Sequence, residues 1–202
     1  MPFESLIVMT MGSSFKSDKD WGDYIELVWA NWLHAHTGGN TFEHSKGKVP
    51  GWDLRNESTG RKHEVKWDAA GRSVWKSYGK ERQPTGNLFI EYKNPATDAE
   101  TGIMASDSNI WAHIVKVSDT FVEDSSLDYE AWAYVFSLPK LRDFCNEVGL
   151  NSRKTMRDVG EGKVSNAMGW LLPIDMIIRN KKECGLILRA DVTSYLQASP
   201  KF

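Results

Sequence analysis

Two acidic residues and a lysine stand in a pattern suited to metal-assisted chemistry: Asp53, ten intervening residues, then Glu64-Val65-Lys66. Between the acids lies Asn56-Glu57-Ser58-Thr59-Gly60, a turn composition flanked by two short extended runs, which reads as a β-hairpin. A turn centred on Ser58-Thr59 sets Asp53 opposite Glu64 and Trp52 opposite Val65. Directly opposed residues have Cβ atoms about 5 Å apart, so the two carboxylates repel unless they share a cation. Side chains alternate along a strand, which puts Lys66 on the face of Asp53 and Glu64 and turns Trp52, Leu54 and Val65 toward the core. Hard oxygen ligands of this kind suit Mg²⁺, or Mn²⁺ in its place, ions that keep several waters and hold a phosphate oxygen at the same time. Such an ion polarises phosphorus and acidifies a bound water, while a nearby ammonium positions that water or neutralises charge in the transition state. The Val65 carbonyl is a further candidate ligand.

Other residues compete for the same role. Glu-x-Lys recurs at Glu91-Tyr92-Lys93, in a convincing strand with Asp68 as a candidate upstream acid, and at Glu161-Gly162-Lys163, whose glycine-flanked composition argues against a strand. Only the Asp53 pairing comes with a short hairpin and facing side chains. His34 and His36 read either as metal ligands or as side chains at the carbonyl end of a helix, and the second reading is preferred because no acidic partner is fixed nearby. His63 points away from Glu64 and reads as structural. Glu26 lies at the edge of an apolar helical stripe, either solvated or a ligand.

The elements that must position these residues are partly visible. Residues 1–16 lack periodicity and read as a leader of unknown order, leaving 17–202 as one domain, a size that one core serves. Ser17 is a candidate helix cap, and Trp21, Tyr24, Ile25, Val28, Trp32 and Leu33 recur at helical spacing until Gly38-Gly39, about four to five turns. Leu88 to Tyr92, Ile110 to Val117 and Trp132 to Leu138 read as strands. Pro139 suits a helix start, with an apolar stripe through Leu141, Phe144, Cys145 and Val148 to Gly149. Residues 153–169 read as a polar loop or short helix, and 171–178 and 186–196 stay ambiguous between strand and helix. The order predicts an α/β or α+β fold with a central mixed sheet.

Composition bounds the rest. Hydrophobic residues make up 41% and charged residues 26%, the values of a globular chain without a membrane partner. No apolar run approaches the roughly 18 residues of a membrane helix, and acidic Glu4 precedes Leu6-Ile7-Val8-Met9, unlike a secretion signal. The expected location is cytoplasmic, with Cys145 and Cys184 as free thiols. The net charge of −2 excludes bulk electrostatic coating of nucleic acid, yet residues 46–93 hold eleven Lys/Arg against six Asp/Glu.

Asp53 followed by Glu64-Val65-Lys66 resembles the signature of the PD-(D/E)xK, or restriction-endonuclease-like, nucleases. Gly86-Asn87-Leu88-Phe89-Ile90-Glu91-Tyr92, Thr101-Gly102-Ile103 with Ser106, and Trp111-Ala112-His113-Ile114 are similar to uncharacterised members, many carried by phages. The family's Pro-Asp pair appears here as Trp52-Asp53, with Pro50 two positions before Trp52. The resemblance implies a restriction-endonuclease-like core and an Mg²⁺-dependent DNA nuclease, with Asp53 and Glu64 holding metal and Lys66 assisting the water. An acid on the preceding helix is common in the family as a further ligand or water holder, and Glu26 occupies that place. Such enzymes are commonly dimers, and the tryptophan-rich first helix is the candidate contact of a homodimer. Lys62, Arg72, Lys76, Lys80, Arg82 and Lys93 are candidates for DNA phosphate contacts, with Arg153, Lys154, Arg157 and Lys163 as a second basic set. Most of the nine tryptophans read as core, with Trp67 and Trp75 as candidates for base stacking. The alternative is a catalytically silent fold that binds nucleic acid or a protein partner.

Overall fold

A computed structural model describes residues 18–45, 51–68, 75–78, 81–84, 86–117, 130–150, 160–164 and 167–197. The leader expected over residues 1–16 lies outside them. In chain order the elements are α1 (Asp18–His36), β1 (Phe42–His44), β2 (Leu54–Asn56), β3 (Lys62–Asp68), β4 (Trp75–Tyr78), β5 (Glu81–Pro84), β6 (Asn87–Lys93), α2 (Gly102–Ala105), β7 (Ile110–Val117), β8 (Glu130–Ser137), α3 (Leu138–Leu150), β9 (Gly160–Val164), β10 (Ala167–Pro173), α4 (Ile174–Arg179), β11 (Leu186–Asp191) and α5 (Thr193–Gln197).

The fold is mixed α+β, built on a six-stranded sheet in the order β1-β2-β3-β7-β8-β11. The sheet is mixed because β3 and β7 run parallel while its other neighbours are antiparallel. Period-two alternation divides its side chains between two cores. Leu54, Val65, Ile110, Ala112 and Ile114 face α1 and α5, where Ile25, Val28, Trp29, Leu33 and Leu196 meet them. Trp111, Val115, Tyr134 and Phe136 face the other way, against α3, α4 and a second antiparallel sheet ordered β6-β10-β9.

The first helix ends where the glycine pair predicts. Gly38 and Gly39 take φ of 75° and 81°, and the Gly39 N–H donates to the His34 carbonyl at 3.0 Å. The hairpin register follows from its turn. The Asn56 side-chain oxygen accepts from the Ser58 and Thr59 N–H groups, Gly60 takes φ of 69°, and Leu54 then pairs with His63 and Arg55 with Lys62.

Several expectations need correction. The strand at 88–92 is present as β6 but belongs to the second sheet rather than the central one. Glu161 to Lys163, read as non-strand because of flanking glycines, lie in β9 and pair with β10. Gly162 pairs with Gly169 of β10, where a Cβ would meet the Phe89 ring at 2.7 Å. The two ambiguous segments are each a strand running directly into a short helix, β10 into α4 and β11 into α5, so neither period lasts long enough to dominate.

Candidate active site

Asp53 sits immediately before β2, where that strand's pairing with β3 begins. Its N–H donates to the His63 carbonyl at 2.9 Å, and its carboxylate accepts from the Val65 N–H at 2.7 Å. The Asp53 side chain thus takes the place of a ladder partner beside β3. N–H and C=O of one strand residue point to the same side, so the Val65 carbonyl faces that side too.

Glu64 and Lys66 project from the opposite face to His63 and Val65. The Lys66 ammonium lies 2.5 Å from Glu64 Oε1 and sits over the Trp111 ring, 5.7 Å from its centroid. Glu64 is buried, with 10% of its side chain exposed, and Lys66 is 35% exposed, so the pair opens to solvent at the ammonium end. Ser106 Oγ, on the loop after α2, lies 3.1 Å from Glu64 Oε2 and 3.0 Å from the Gly51 carbonyl, and its single proton serves one acceptor at a time. Ser108 Oγ and the Asp107 N–H also donate to the Gly51 carbonyl. Gly51 takes φ of 100°, and a Cβ there would stand 2.8 Å from Asp107 N, so only glycine lets this loop carry Trp52 and Asp53 to the sheet.

The electrostatics match a crowded anionic site. Burial and then the Glu64 charge push the Asp53 carboxyl up to about 7, against the Lys66 charge and the Val65 N–H, with Glu26 adding a smaller upward push. Burial acts to lower the Lys66 pKa, but Glu64, Asp53 and more weakly Glu91 outweigh it and hold the ammonium above its ordinary value. Glu91 reaches Lys66 from β6, so the rival Glu91-Tyr92-Lys93 segment converges on the same lysine. Its proposed partner Asp68 belongs to the other sheet, 3.7 Å from His113 Nε2. Trp111 donates from Nε1 to His113 Nδ1 at 3.4 Å, which leaves His113 Nε2 as the buried hydrogen-bearing nitrogen, without a hydrogen-bond acceptor among the described residues.

No protein-family model, curated protein or solved structure matches the chain. The reading of the site therefore rests on its own chemistry.

Among the described residues no group of three or more His, Cys, Asp or Glu is arranged to hold a metal ion. Glu26 lies at the edge of the buried stripe of α1, 3.7 Å from His44 Nδ1, and reaches Asp53 only through its weak electrostatic effect. Asp53 and Glu64, with the Val65 carbonyl alongside, are the oxygen donors that could meet an ion here. Two carboxylates suit Mg²⁺, which completes its shell with water and phosphate oxygens, and do not suit a closed structural zinc site.

The remaining candidates divide clearly. His34 and His36 close the last turn of α1, bonded to the carbonyls of Asn40 and Trp32. His63 accepts from Trp29 Nε1 at 3.4 Å on the core side, and burial followed by the Arg61 charge pulls its pKa down to about 4. Trp67 packs on the α1 side, away from the carboxylates, so base stacking beside the site is not its place. Trp29 is fully buried, and Trp32, partly buried, stacks between Trp29 and His36. Lys62 is half-buried at the start of β3, and Lys93 pairs with the exposed Asp98. Trp75, Lys76, Arg82 and Lys163 lie on β4, β5 and β9, where the backbone alone is described. Arg72, Lys80, Arg153, Lys154 and Arg157 fall outside the described residues. Sequence reasoning gave no role to Ser106 or Gly51; the Pro50-Gly51 dipeptide was the one local signal.

Proposed function

We propose that this protein is an Mg²⁺-dependent DNA nuclease of the PD-(D/E)xK kind, with Asp53, Glu64 and Lys66 as its centre and a restriction-endonuclease-like core. The observation that carries the reading is the convergence of the Asp53 and Glu64 charges beside one ammonium, with the Asp53 carboxyl raised to about 7 by burial and by Glu64. Such crowding is unfavourable in an empty site and is relieved by a divalent cation. The mixed sheet flanked by helices is compatible with the core implied by the resemblance.

Asp53 and Glu64 would hold the ion, with the Val65 carbonyl beside them and Glu26 as a more distant support. When bound, the ion polarises a phosphodiester and acidifies water. Hydrolysis joins the water oxygen to phosphorus, breaks one P–O bond and delivers a proton to the leaving sugar oxygen. Lys66 stays an ammonium because its acidic neighbours hold its proton. It therefore acts as a donor, positioning the water or stabilising charge on phosphate oxygens, and not as the base. Ser106 and Lys66 together orient the Glu64 carboxylate.

One observation favours a second reading. Both Glu64 oxygens already have partners in Lys66 and Ser106, as they would in a silent module that binds nucleic acid or a protein without cutting. Purified protein incubated with supercoiled, linear and single-stranded DNA in Mg²⁺, Mn²⁺ or EDTA separates the two. The nuclease reading expects metal-dependent cutting that falls by about 10²–10³ or more in folded Glu64→Ala and Lys66→Ala. Full activity in either variant refutes the mechanism, and metal-independent binding without cutting selects the silent module.

A further inference from the structure

A cavity of about 350 Å³ opens at one end of the central sheet, lined by Ser137, Lys140, Lys181, Lys182 and Leu186 among others. Three lysines share it, all exposed, and none makes an ion pair among the described residues. The first turn of α3, where Lys140 lies, contains no acidic residue to offset them. Three like charges gathered in a concave surface, with Glu183 next to Lys182 as the neighbouring carboxylate, leave a net positive local potential that attracts an anion.

The sheet register relates this cavity to the carboxylates. Glu64 pairs with Trp111, Trp111 with Phe136, and Phe136 with Leu186, so one row across the sheet runs from the candidate active site to the cavity wall. Ser137 ends the neighbouring row through His63 and Ile110. Three strand spacings make the separation about 14 Å. The rise of about 3.4 Å per phosphate is along the duplex axis and each step also turns around it, so a straight separation of about 14 Å corresponds to roughly two phosphates of one strand.

We infer that the cavity formed by Lys140, Lys181 and Lys182 grips the phosphodiester backbone of the bound DNA, about two phosphates from the one presented to Asp53 and Glu64. The inference rests on the nuclease reading and extends it to a contact that lies outside both basic sets nominated from the sequence.

The test is DNA binding by the full chain, measured by fluorescence anisotropy of a labelled duplex in Mg²⁺ over a salt series, in a Lys66→Ala background to prevent cleavage. Replacing Lys140, Lys181 and Lys182 by Ala is expected to weaken binding at least about tenfold and to flatten the log–log salt slope by about 2–3, since each phosphate contact contributes about 0.9. Glu183→Lys adds a cation beside the cavity and is expected to tighten binding and steepen the slope, a gain that misfolding cannot imitate. Unchanged affinity and slope in the triple variant, against a parent that binds, overturns the inference and leaves the nuclease reading standing. Loss of inorganic phosphate binding with DNA binding intact overturns it in favour of a small phosphate ligand. Failure of the parent itself to bind DNA overturns both.

Discussion

Replacing Asp53 by Asn tests the site without any assay of catalysis. In the metal-free protein the folded state holds the Asp53 proton up to about pH 7, whereas an ordinary aspartate releases it near 3.8. Between those values the unfolded chain has released a proton that the folded chain keeps, so this group lowers stability as pH rises through the window. The difference of about 3 pKa units corresponds to about 4 kcal/mol at 1.36 kcal/mol each, fully expressed above pH 7. Asn resembles the protonated acid, and its carbonyl oxygen still accepts from the Val65 N–H. The variant should therefore be more stable than wild type at pH 8 in EDTA, and equal to it near pH 4. At about 2–4 °C per kcal/mol for a chain of this size, 4 kcal/mol sets a ceiling of about 8–16 °C on the rise in Tm. Water screening at the half-buried carboxylate reduces this, and a rise of about 4 °C or more is expected.

The assay is thermal unfolding followed by circular dichroism from pH 4 to 8, in EDTA and then in Mg²⁺. Metal that binds the charged site stabilises wild type by mass action and the Asn variant less, so the gap in Tm should narrow as Mg²⁺ rises. A natively folded Asp53→Asn protein that is less stable than wild type at pH 8 in EDTA would refute the reasoning. So would a gap that does not change with pH, because the cause would then not be the Asp53 proton.

Gly51→Ala should cost about 1–3 kcal/mol in denaturant unfolding and also reduce cleavage, because its φ of 100° and the 2.8 Å approach to Asp107 N force the loop that carries Asp53 to shift. Ser106→Ala should lower kcat with a loss of only about 1 kcal/mol in stability, since it frees one Glu64 oxygen; an unchanged kcat removes Ser106 from the site. His63 is held neutral in the fold with a pKa of about 4 against the ordinary 6.5 of histidine, so wild-type stability from this group is lost as pH falls from 6.5 to 4, by about 3 kcal/mol. His63→Gln should abolish that component in the same unfolding series.

What the sequence disclosed was local, and what it hid was tertiary. The Asp53–Glu64–Lys66 cluster was legible because one turn, fixed by Asn56 and Gly60, sets the register and period-two alternation does the rest. Glu91 looked like a rival because nothing local shows that β6 leaves the central sheet and meets Lys66 from across a core. The α2 corner was equally hidden: a Cβ on Gly102 would overlap the Glu91 carbonyl, and Arg142 of α3 ties the Ile103 and Ser106 carbonyls. These contacts join segments far apart in the chain, and together they place the Ser106 hydroxyl against Glu64.

The two proton linkages reveal how β3 divides its work. His63 and Glu64 are consecutive, so alternation sends one into the core against Trp29 and the other to the acidic face. The core residue loses stability as pH falls below 6.5, and the acidic face, through Asp53, loses stability as pH rises above 4. Over pH 4 to 6.5 the slopes oppose each other, and their magnitudes of about 3 and about 4 kcal/mol nearly cancel. Wild-type protein in EDTA should therefore show little net pH dependence from this strand, while His63→Gln and Asp53→Asn expose slopes of opposite sign. A flat wild-type profile would then be no sign of an inert site, because only the Asp53 half of the balance responds to Mg²⁺.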